Sequence, residues 1–248
     1  MRYYRQSEMD EIQLRLSAEQ LSRIVAFLGY GDVSAKVWFV GIEEGLGDMT
    51  SEDIVRNLTA RGGFDETMDL RDAHRQLLSK GLPIDVEVNP PGTQVWRWMA
   101  KIMRADNGEA KWGDRMLARE YVQFRLGRID GETFLTELSP IPALKATDKS
   151  WLNWFAQEIP DLDSRLRRRN IRLAEVLREN DPALGICYGR KQAEKFAQLL
   201  AIEWRVVSAE ISRSSDSRCL LLPFFGNGQM SRRIVGDLLR KNLVGPSR

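Results

Sequence analysis

Short apolar runs alternate along the chain with segments whose apolar residues recur every three or four positions. The runs are rich in β-branched and aromatic side chains, which is typical of strands buried on both faces. The predicted strands are Lys36–Ile42, Thr133–Leu138, Ala183–Tyr188, Arg205–Ile211 and Cys219–Phe225. Helices are predicted at Ala18–Tyr30, Ser51–Leu58, Leu70–Leu78, Thr93–Arg104, Glu109–Gly127, Trp151–Phe155, Arg165–Asn180, Arg190–Ala201 and Ser231–Leu243.

Strands that alternate with helices indicate β-α-β units. We therefore expect an α/β fold, a three-layer αβα sandwich with a central, mostly parallel sheet of four to five strands. No repeat and no linker rich in Gly or Ser divides the sequence, so residues 1–248 are expected to form one domain. Ligands of such folds bind at the carboxyl ends of the strands. Four segments are expected there: Glu43–Gly47, Glu137–Pro142, Gly189–Lys191 and Pro223–Ser231.

Cysteine and histidine are scarce. The 248 residues include two cysteines, Cys187 and Cys219, and one histidine, His74. A four-cysteine zinc or iron–sulfur site cannot be built from them, nor can a disulfide framework. Both cysteines lie in apolar runs and are predicted to be buried strand residues. His74 lies in a polar helical stretch and is predicted to face solvent. We expect no metal and no cofactor.

Basic residues concentrate in the last third of the chain. The whole sequence has 37 basic and 35 acidic residues, whereas Arg165–Arg248 has 17 against 8. Such a region attracts phosphate backbones, although an Arg-rich helix is often only a solvated face. The opening Met1–Gln13 is polar, and no apolar run approaches the roughly 20 residues that cross a membrane. These features favour a cytoplasmic protein without a membrane partner.

The turn after the first strand holds two carboxylates, Glu43 and Glu44, between Gly41 and Gly45. A carboxylate at a strand end can orient a water molecule and stabilise a developing cation. The alternative is that both side chains are exposed turn residues. The Gly-x-Gly-x-x-Gly spacing and the Gly-Lys-Ser/Thr loop are absent, which disfavours nicotinamide and ATP chemistry.

The most unusual string is Leu222–Ser231. Gly226 and Gly228 allow the backbone to approach a ligand closely, and Asn227 and Gln229 can read hydrogen-bonding edges. Two aromatic and two basic residues border this loop: Phe224, Phe225, Arg232 and Arg233. The rings can stack on a base or pack in the core. The arginines, at a helix start, can hold a phosphate.

The order of four segments resembles that of the uracil-DNA glycosylase superfamily. The first is similar to the strand and turn that carry the water-activating residue, and the second to the strand leading to the base-reading position. The third resembles the strand with a terminal glycine, and the fourth the loop that enters the DNA minor groove. They are Val37–Gly45, Thr133–Pro142, Gly185–Lys191 and Leu220–Ser231.

The resemblance implies a metal-free DNA-repair hydrolase that flips a base out of DNA and hydrolyses its N-glycosidic bond. Glu43 is the preferred match for the water-positioning residue, and Glu137 takes the place of an Asn that reads the base. Phe224 stands near the usual histidine, so Asn227, Gln229 or N–H groups of the loop are expected to hold the leaving base, with Asn227 the catalytic candidate. The candidate residues are Glu43 and Asn227 for catalysis, Glu44, Phe64, Glu137, Phe224 and Gln229 for substrate binding, and Arg190, Lys191, Ser231, Arg232 and Arg233 for DNA binding.

The missing histidine and the presence of Glu137 favour an alternative, a catalytically divergent protein of the same fold that binds nucleic acid or a nucleotide. A third hypothesis is an unrelated α/β protein that acts through partners. The position of three side chains separates these hypotheses. The glycosylase hypothesis requires Glu43, Glu137 and Asn227 to line one cleft with arginines at its rim.

Overall fold

The computed structural model describes residues 16–46, 49–82, 94–105, 114–143, 150–241 and 243–244. Its helices are α1 (Ala18–Ala26), α2 (Ser51–Arg61), α3 (Leu70–Ser79), α4 (Gln94–Met103), α5 (Arg115–Phe124), α6 (Ser150–Glu158), α7 (Leu162–Asn180), α8 (Ala193–Leu200) and α9 (Arg232–Arg240). Its strands are β1 (Gly29–Gly31), β2 (Val37–Gly41), β3 (Thr67–Met68), β4 (Thr133–Glu137), β5 (Leu184–Tyr188), β6 (Trp204–Val206), β7 (Ser212–Ser214) and β8 (Cys219–Leu222).

The described strands form one mixed sheet in the order β3-β1-β4-β2-β5-β8-β7-β6. The four central strands, β4, β2, β5 and β8, are parallel to one another. Antiparallel pairing joins β1 to β4 on one side and β7 to β8 on the other. The predicted α/β class is confirmed, but the predicted size of four to five strands is wrong because short edge strands extend the sheet to eight.

Alternate residues of the central strands pack against helices on opposite faces of the sheet. On one face, Phe39 and Ile186 join a cluster with residues of α3, α4, α5 and α9. On the other face, Trp38 packs with residues of α7, and Cys187 packs with Phe196 of α8. Because helices cover both faces, both sides of each central strand must be apolar, which explains the continuous apolar runs in the sequence.

The flanking strands were not anticipated. The helix predicted over Ala18–Tyr30 ends at Ala26, and Gly29–Gly31 instead pairs with β4. A Cβ at Gly29 would overlap the carbonyl of Leu135, so glycine is needed there for the close approach of the two backbones. The single strand predicted at Arg205–Ile211 is also wrong: β6 and β7 form an antiparallel pair with a turn between them. The loop predicted at Pro83–Thr93 and the first five residues of the helix predicted at Glu109–Gly127 lie outside the described residues.

The prediction that His74 faces solvent is wrong. Its side chain is buried on the core-facing side of α3, with Nδ1 2.7 Å from the carbonyl oxygen of Leu70. The ring packs edge-on against Trp96, with 5.1 Å between centroids. Burial lowers the pKa of His74, which favours the neutral imidazole. The prediction that Cys187 and Cys219 are buried is confirmed.

Within the described ranges, no helix combines the length and apolar character that a membrane span requires. In the same ranges, no three His, Cys, Asp or Glu side chains lie where they could share a metal ion.

Candidate functional site

The carboxyl ends of the four parallel strands lie at one edge of the sheet and bring the four predicted segments together. The Ser139 N–H donates to the carbonyl of Ile42 over 2.9 Å, which joins the segment after β4 to the segment after β2. The Gly189 N–H donates to the carbonyl of Leu222 over 3.0 Å, which joins the end of β5 to the end of β8. This edge is where ligand sites of open parallel sheets are found.

A small, mostly enclosed cavity of about 40 Å³ lies at this edge. We call it the polar cavity, because charged and hydroxyl-bearing side chains make up much of its wall. They are Tyr30, Glu44, Arg61, Thr136, Glu137, Ser139, Arg169 and Tyr188. Trp96 and Met99 of α4 are among the apolar residues that line it. A water molecule needs roughly 10–15 Å³ of such space, so the polar cavity can hold about three.

Glu44 is the ionised carboxylate of the polar cavity. Its Oε2 lies 2.6 Å from Nη2 of Arg61 and accepts a 2.9 Å hydrogen bond from the Tyr30 hydroxyl. Burial by itself would raise the pKa of Glu44, but the charge and hydrogen bonds of Arg61 and Tyr30 outweigh it and lower the pKa. Arg61 is held in turn by Asn57, whose Oδ1 accepts a 2.7 Å bond from Nε.

Glu137, the last residue of β4, is the protonated carboxyl group of the polar cavity. Its Oε1 accepts a 2.8 Å hydrogen bond from the Tyr188 hydroxyl. Its Oε2 is buried and has no hydrogen-bond partner among the residues that the structure describes. Burial raises the pKa of Glu137 to about 8, and the nearby charge of Glu44 adds to the shift, whereas Tyr188 opposes it. At neutral pH the carboxyl group therefore keeps its proton and can donate it.

Gly41 makes room for this carboxyl group. A Cβ at residue 41 would overlap Oε2 of Glu137 and the Tyr188 hydroxyl, whereas a Cβ at Gly45 would meet nothing within 4 Å. We expect Gly41→Ala to lower the free energy of unfolding by about 1–3 kcal/mol, as overpacking does. Gly45→Ala is the matched control and is expected to leave stability within about 0.5 kcal/mol. Urea denaturation of both variants measures the difference, and equal stability would show that Gly41 is not needed for packing.

Arg169 of α7 holds the backbone on which the polar cavity is built. Its side chain is 5% exposed, and its guanidinium donates to the carbonyls of Phe27, Leu28 and Glu137 over 2.7–3.0 Å. Burial lowers its pKa to about 10, so the group stays charged at neutral pH. Arg169 belongs to the basic region that was expected to attract phosphate backbones, but it does not bind a phosphate because its donors are already used inside the protein.

Replacing Arg169 by alanine is expected to lower the free energy of unfolding by about 3–5 kcal/mol, since buried carbonyl groups lose their donors. For a chain of this length the melting temperature should fall by roughly 10 °C. Arg168→Ala is the matched control: that side chain is 67% exposed, and its pairing with Asp161 is worth at most about 1 kcal/mol. Thermal unfolding by circular dichroism compares the two variants. Equal melting temperatures would contradict this role.

Glu43 does not line the polar cavity. Its side chain lines a separate, open groove of about 720 Å³ between α7 and α8. Asn227 lines neither space; it is exposed and adopts a left-handed backbone conformation with φ of 53°. The structure therefore does not bring Glu43, Glu137 and Asn227 into one cleft. It brings Glu137 together with Glu44 instead.

The aromatic candidates support the polar cavity from outside. Phe64 is 1% exposed and packs in the core against Phe27, where a flipped base could not reach it without a rearrangement. Phe225 stacks on the Tyr188 ring with 4.6 Å between centroids, and the half-buried Phe224 stacks beside it at 6.3 Å. These contacts orient the hydroxyl that binds Glu137.

Several predicted DNA-binding residues have structural partners. Ser231 caps α9, and its hydroxyl accepts a 3.4 Å bond from the Ile234 N–H. Arg233 pairs with two acidic side chains: Glu210, in the segment between β6 and β7, and Asp237 of α9. Arg190 donates to the carbonyl of Ala209. Lys191 and Gln229 are exposed.

Arg232 belongs to a group of cations beside the exposed loop that contains Gly228. The Gly228 N–H lies 3.5 Å from Oε1 of Gln94, at the start of α4. On the same helix, Lys101 lies over the Trp98 ring, 4.4 Å from its centroid. Burial lowers the pKa of Lys101, and the like charges of Arg232, Arg97 and Arg115 lower it further. We call these four cations the basic patch; within the described residues, none of them forms an ion pair with an acid.

Sequence reasoning missed Tyr30, Arg61, Arg169 and Tyr188 as site residues. Tyr188 could have been identified from the sequence, because it is the last residue of an apolar strand and its hydroxyl lies at the carboxyl edge of the sheet. The other three reach the site through contacts between distant parts of the chain, which no local pattern shows. No model of a known protein family matches this sequence, and a comparison with curated proteins finds no match either.

Proposed function

We propose that this protein is a DNA glycosylase-like hydrolase whose polar cavity cleaves the N-glycosidic bond of a flipped base. The observation that carries the proposal is the pair of carboxyl groups with opposite protonation states. Glu44 is ionised beside Arg61, and Glu137 is protonated at neutral pH because it is buried. Two carboxyl groups whose surroundings separate their pKa values are the usual arrangement for acid and base catalysis.

In the proposed reaction, the bond between C1′ of the sugar and the nitrogen of the base breaks, and the bonding electrons leave with the base. Glu137 donates its proton to the departing base, which makes the base a neutral leaving group. Glu44 stabilises the positive charge that develops on the sugar and takes a proton from the attacking water. The water oxygen forms the new bond to C1′. Proton exchange with solvent then restores both carboxyl groups.

The neighbouring residues have supporting roles. Tyr188 holds Oε1 of Glu137, so the proton of the carboxyl group lies on Oε2, which is next to Gly41 and has no hydrogen-bond partner among the described residues. Arg61 keeps Glu44 ionised. A nucleobase needs more space than the polar cavity of about 40 Å³ provides. To enter, it must displace the water molecules and move a wall residue such as the half-buried Trp96.

Exposed cations support DNA as the partner. Two cations of the basic patch, Arg97 and Lys101, lie on α4, the helix that also contributes Trp96 and Met99 to the wall of the polar cavity. Phosphates held there would place a nucleotide close to the cavity. The alternative function is a divergent protein of the same fold that binds nucleic acid without cleaving it. The small volume of the polar cavity favours this alternative.

The test is a strand-cleavage assay after alkali treatment. Single- and double-stranded oligonucleotides carry uracil, hypoxanthine, xanthine or only normal bases, and wild-type protein is compared with Glu44→Gln and Glu137→Gln. Cleavage of one substrate that both variants lose would support the glycosylase. Salt-sensitive binding without cleavage of any substrate would support the binding protein and refute the hydrolase.

A further inference from the structure

The groove between α7 and α8 opens beside the polar cavity, and Ser139 lines both spaces. Its volume of about 720 Å³ falls within the range of ligand sites. Three cations face it: Arg167 and Arg178 from α7, and Lys195 from α8. The one acid that lines it is Glu43, at the end of β2. The groove therefore favours an anionic ligand.

The cations are spread along the groove. Arg167 and Arg178 are eleven residues apart, which is three helical turns and about 16.5 Å along the axis of α7. Residues at this spacing lie on the same face of a helix, together with Ile171, which is 53% exposed. Because their backbone positions are this far apart, the two arginines are placed to bind separate anionic groups. They fit a ligand with several anionic groups in a row and apolar surface between them.

The arginines of α7 differ in their ion pairing according to the face they occupy. Apart from the buried Arg169, those outside the groove pair with acids: Arg165 and Arg168 with Asp161, and Arg172 with Glu175 and Glu179. Neither Arg167 nor Arg178 has an acidic group within 4 Å among the described residues, and the same holds for Lys195. Arg178 donates one hydrogen bond to the carbonyl of Ala174, but none of the three groove-facing cations has an acidic partner among the described residues, which leaves their charges available to an anionic ligand.

We infer that the groove between α7 and α8 binds a single strand of nucleic acid, with its phosphates on Arg167, Arg178 and Lys195. A single strand is favoured over a duplex because the groove offers apolar side chains between its charges. Ile171 and Leu199 can contact bases, which a duplex keeps stacked and paired. The strand then continues past Ser139 into the polar cavity; this last step rests on the proposed function.

The test is fluorescence anisotropy with a labelled oligothymidylate at several salt concentrations, with no cleavable base present. The double variant Arg167→Ala, Arg178→Ala is compared with the matched control Arg168→Ala, Arg172→Ala. Each removes two positive charges from α7, but only the first removes them from the groove. The groove variant is expected to bind at least about tenfold more weakly. Its slope of log affinity against log salt should shrink by about 1.4, which is two phosphate contacts on a single strand.

Equal losses of affinity in the two double variants would overturn the assignment, as would an unchanged salt slope in the groove variant. Displacement of the oligonucleotide by polyglutamate of matched charge, with equal affinity, would also overturn it in favour of a site for acidic peptides. The readout is binding alone, so it is independent of base excision. If Glu44→Gln has no effect on cleavage while the groove variant loses binding, the proposed chemistry fails and the groove assignment stands.

Discussion

Replacing Glu44 by glutamine is expected to lower the rate of base release by about 10²–10³-fold, the usual loss when one electrostatic stabiliser of a transition state is removed. The variant keeps the shape of the side chain and its contact with Tyr30, but it loses the charge that would stabilise the sugar cation. DNA affinity is expected to stay within about twofold, since no phosphate contact changes. Single-turnover cleavage and anisotropy measure the two effects separately.

Glu43→Gln is the matched control, because it makes the same substitution at the neighbouring residue. Glu43 lines the groove between α7 and α8 and not the polar cavity, so the rate of base release should change by less than about threefold. The reverse result is a large loss of rate for Glu43→Gln and none for Glu44→Gln. It would restore Glu43 as the water-positioning residue, as the sequence predicted. It would also contradict the role of the polar cavity.

Glu44→Gln also leaves Arg61 without its counter-charge, and Arg61 is only 3% exposed. Breaking a buried ion pair on one side is strongly destabilising, whereas replacing both partners is often neutral. If the single variant does not fold, the double variant Glu44→Gln, Arg61→Met provides the same test without an uncompensated buried charge. Cleavage by a folded double variant at the wild-type rate would refute the catalytic role of Glu44.

Glu137→Gln is expected to lower the rate of base release by about 10²–10⁴-fold at neutral pH, the usual contribution of a positioned general acid. For the wild type, activity should fall as the pH rises through about 8, because the carboxyl group then loses the proton that it must donate. The variant should lose this alkaline limb. Glu132→Gln, at the other end of the same strand segment and outside the polar cavity, should keep the wild-type rate and profile.

The same carboxyl group should make stability depend on pH. Its pKa rises from 4.5 in the unfolded chain to about 8 in the folded protein. Between these values the folded state binds a proton that the unfolded state has released, so the free energy of unfolding falls as the pH rises. The contribution is fully present below about pH 4.5 and is lost as the pH passes 8. Urea denaturation should show a flatter profile for Glu137→Gln across this window, and identical profiles would contradict the raised pKa.

Local patterns predicted much of the framework. The apolar runs at β2, β4, β5 and β8 were located to within three residues, because a strand covered on both faces must be apolar on both. The last helix was predicted to begin at Ser231, which caps it by accepting a hydrogen bond from the first turn, a local interaction. The gathering of four strand ends at one edge also followed from sequence, because parallel strands share a direction.

The choice between two adjacent glutamates did not follow from the sequence. Glu43 and Glu44 belong to the same turn, and their side chains point in different directions. Which one enters the polar cavity is decided by Arg61 and Tyr30, which lie 17 and 14 positions away from Glu44 in the chain. Tyr30 was itself assigned to a helix, and only its pairing with β4 places its hydroxyl beside Glu44.

The sequence by itself therefore determined the α/β class, the central strands and the edge at which a site could form, because these depend on the period of apolar residues and on chain direction. Tertiary structure decided which polar residues are buried. In the run Arg165–Arg169, only the packing of α7 against β4 selects Arg169 for the interior and leaves Arg167 facing the groove. His74 is buried for the same reason: a polar residue on a helix takes the environment of its face, and that face is set by neighbours distant in sequence.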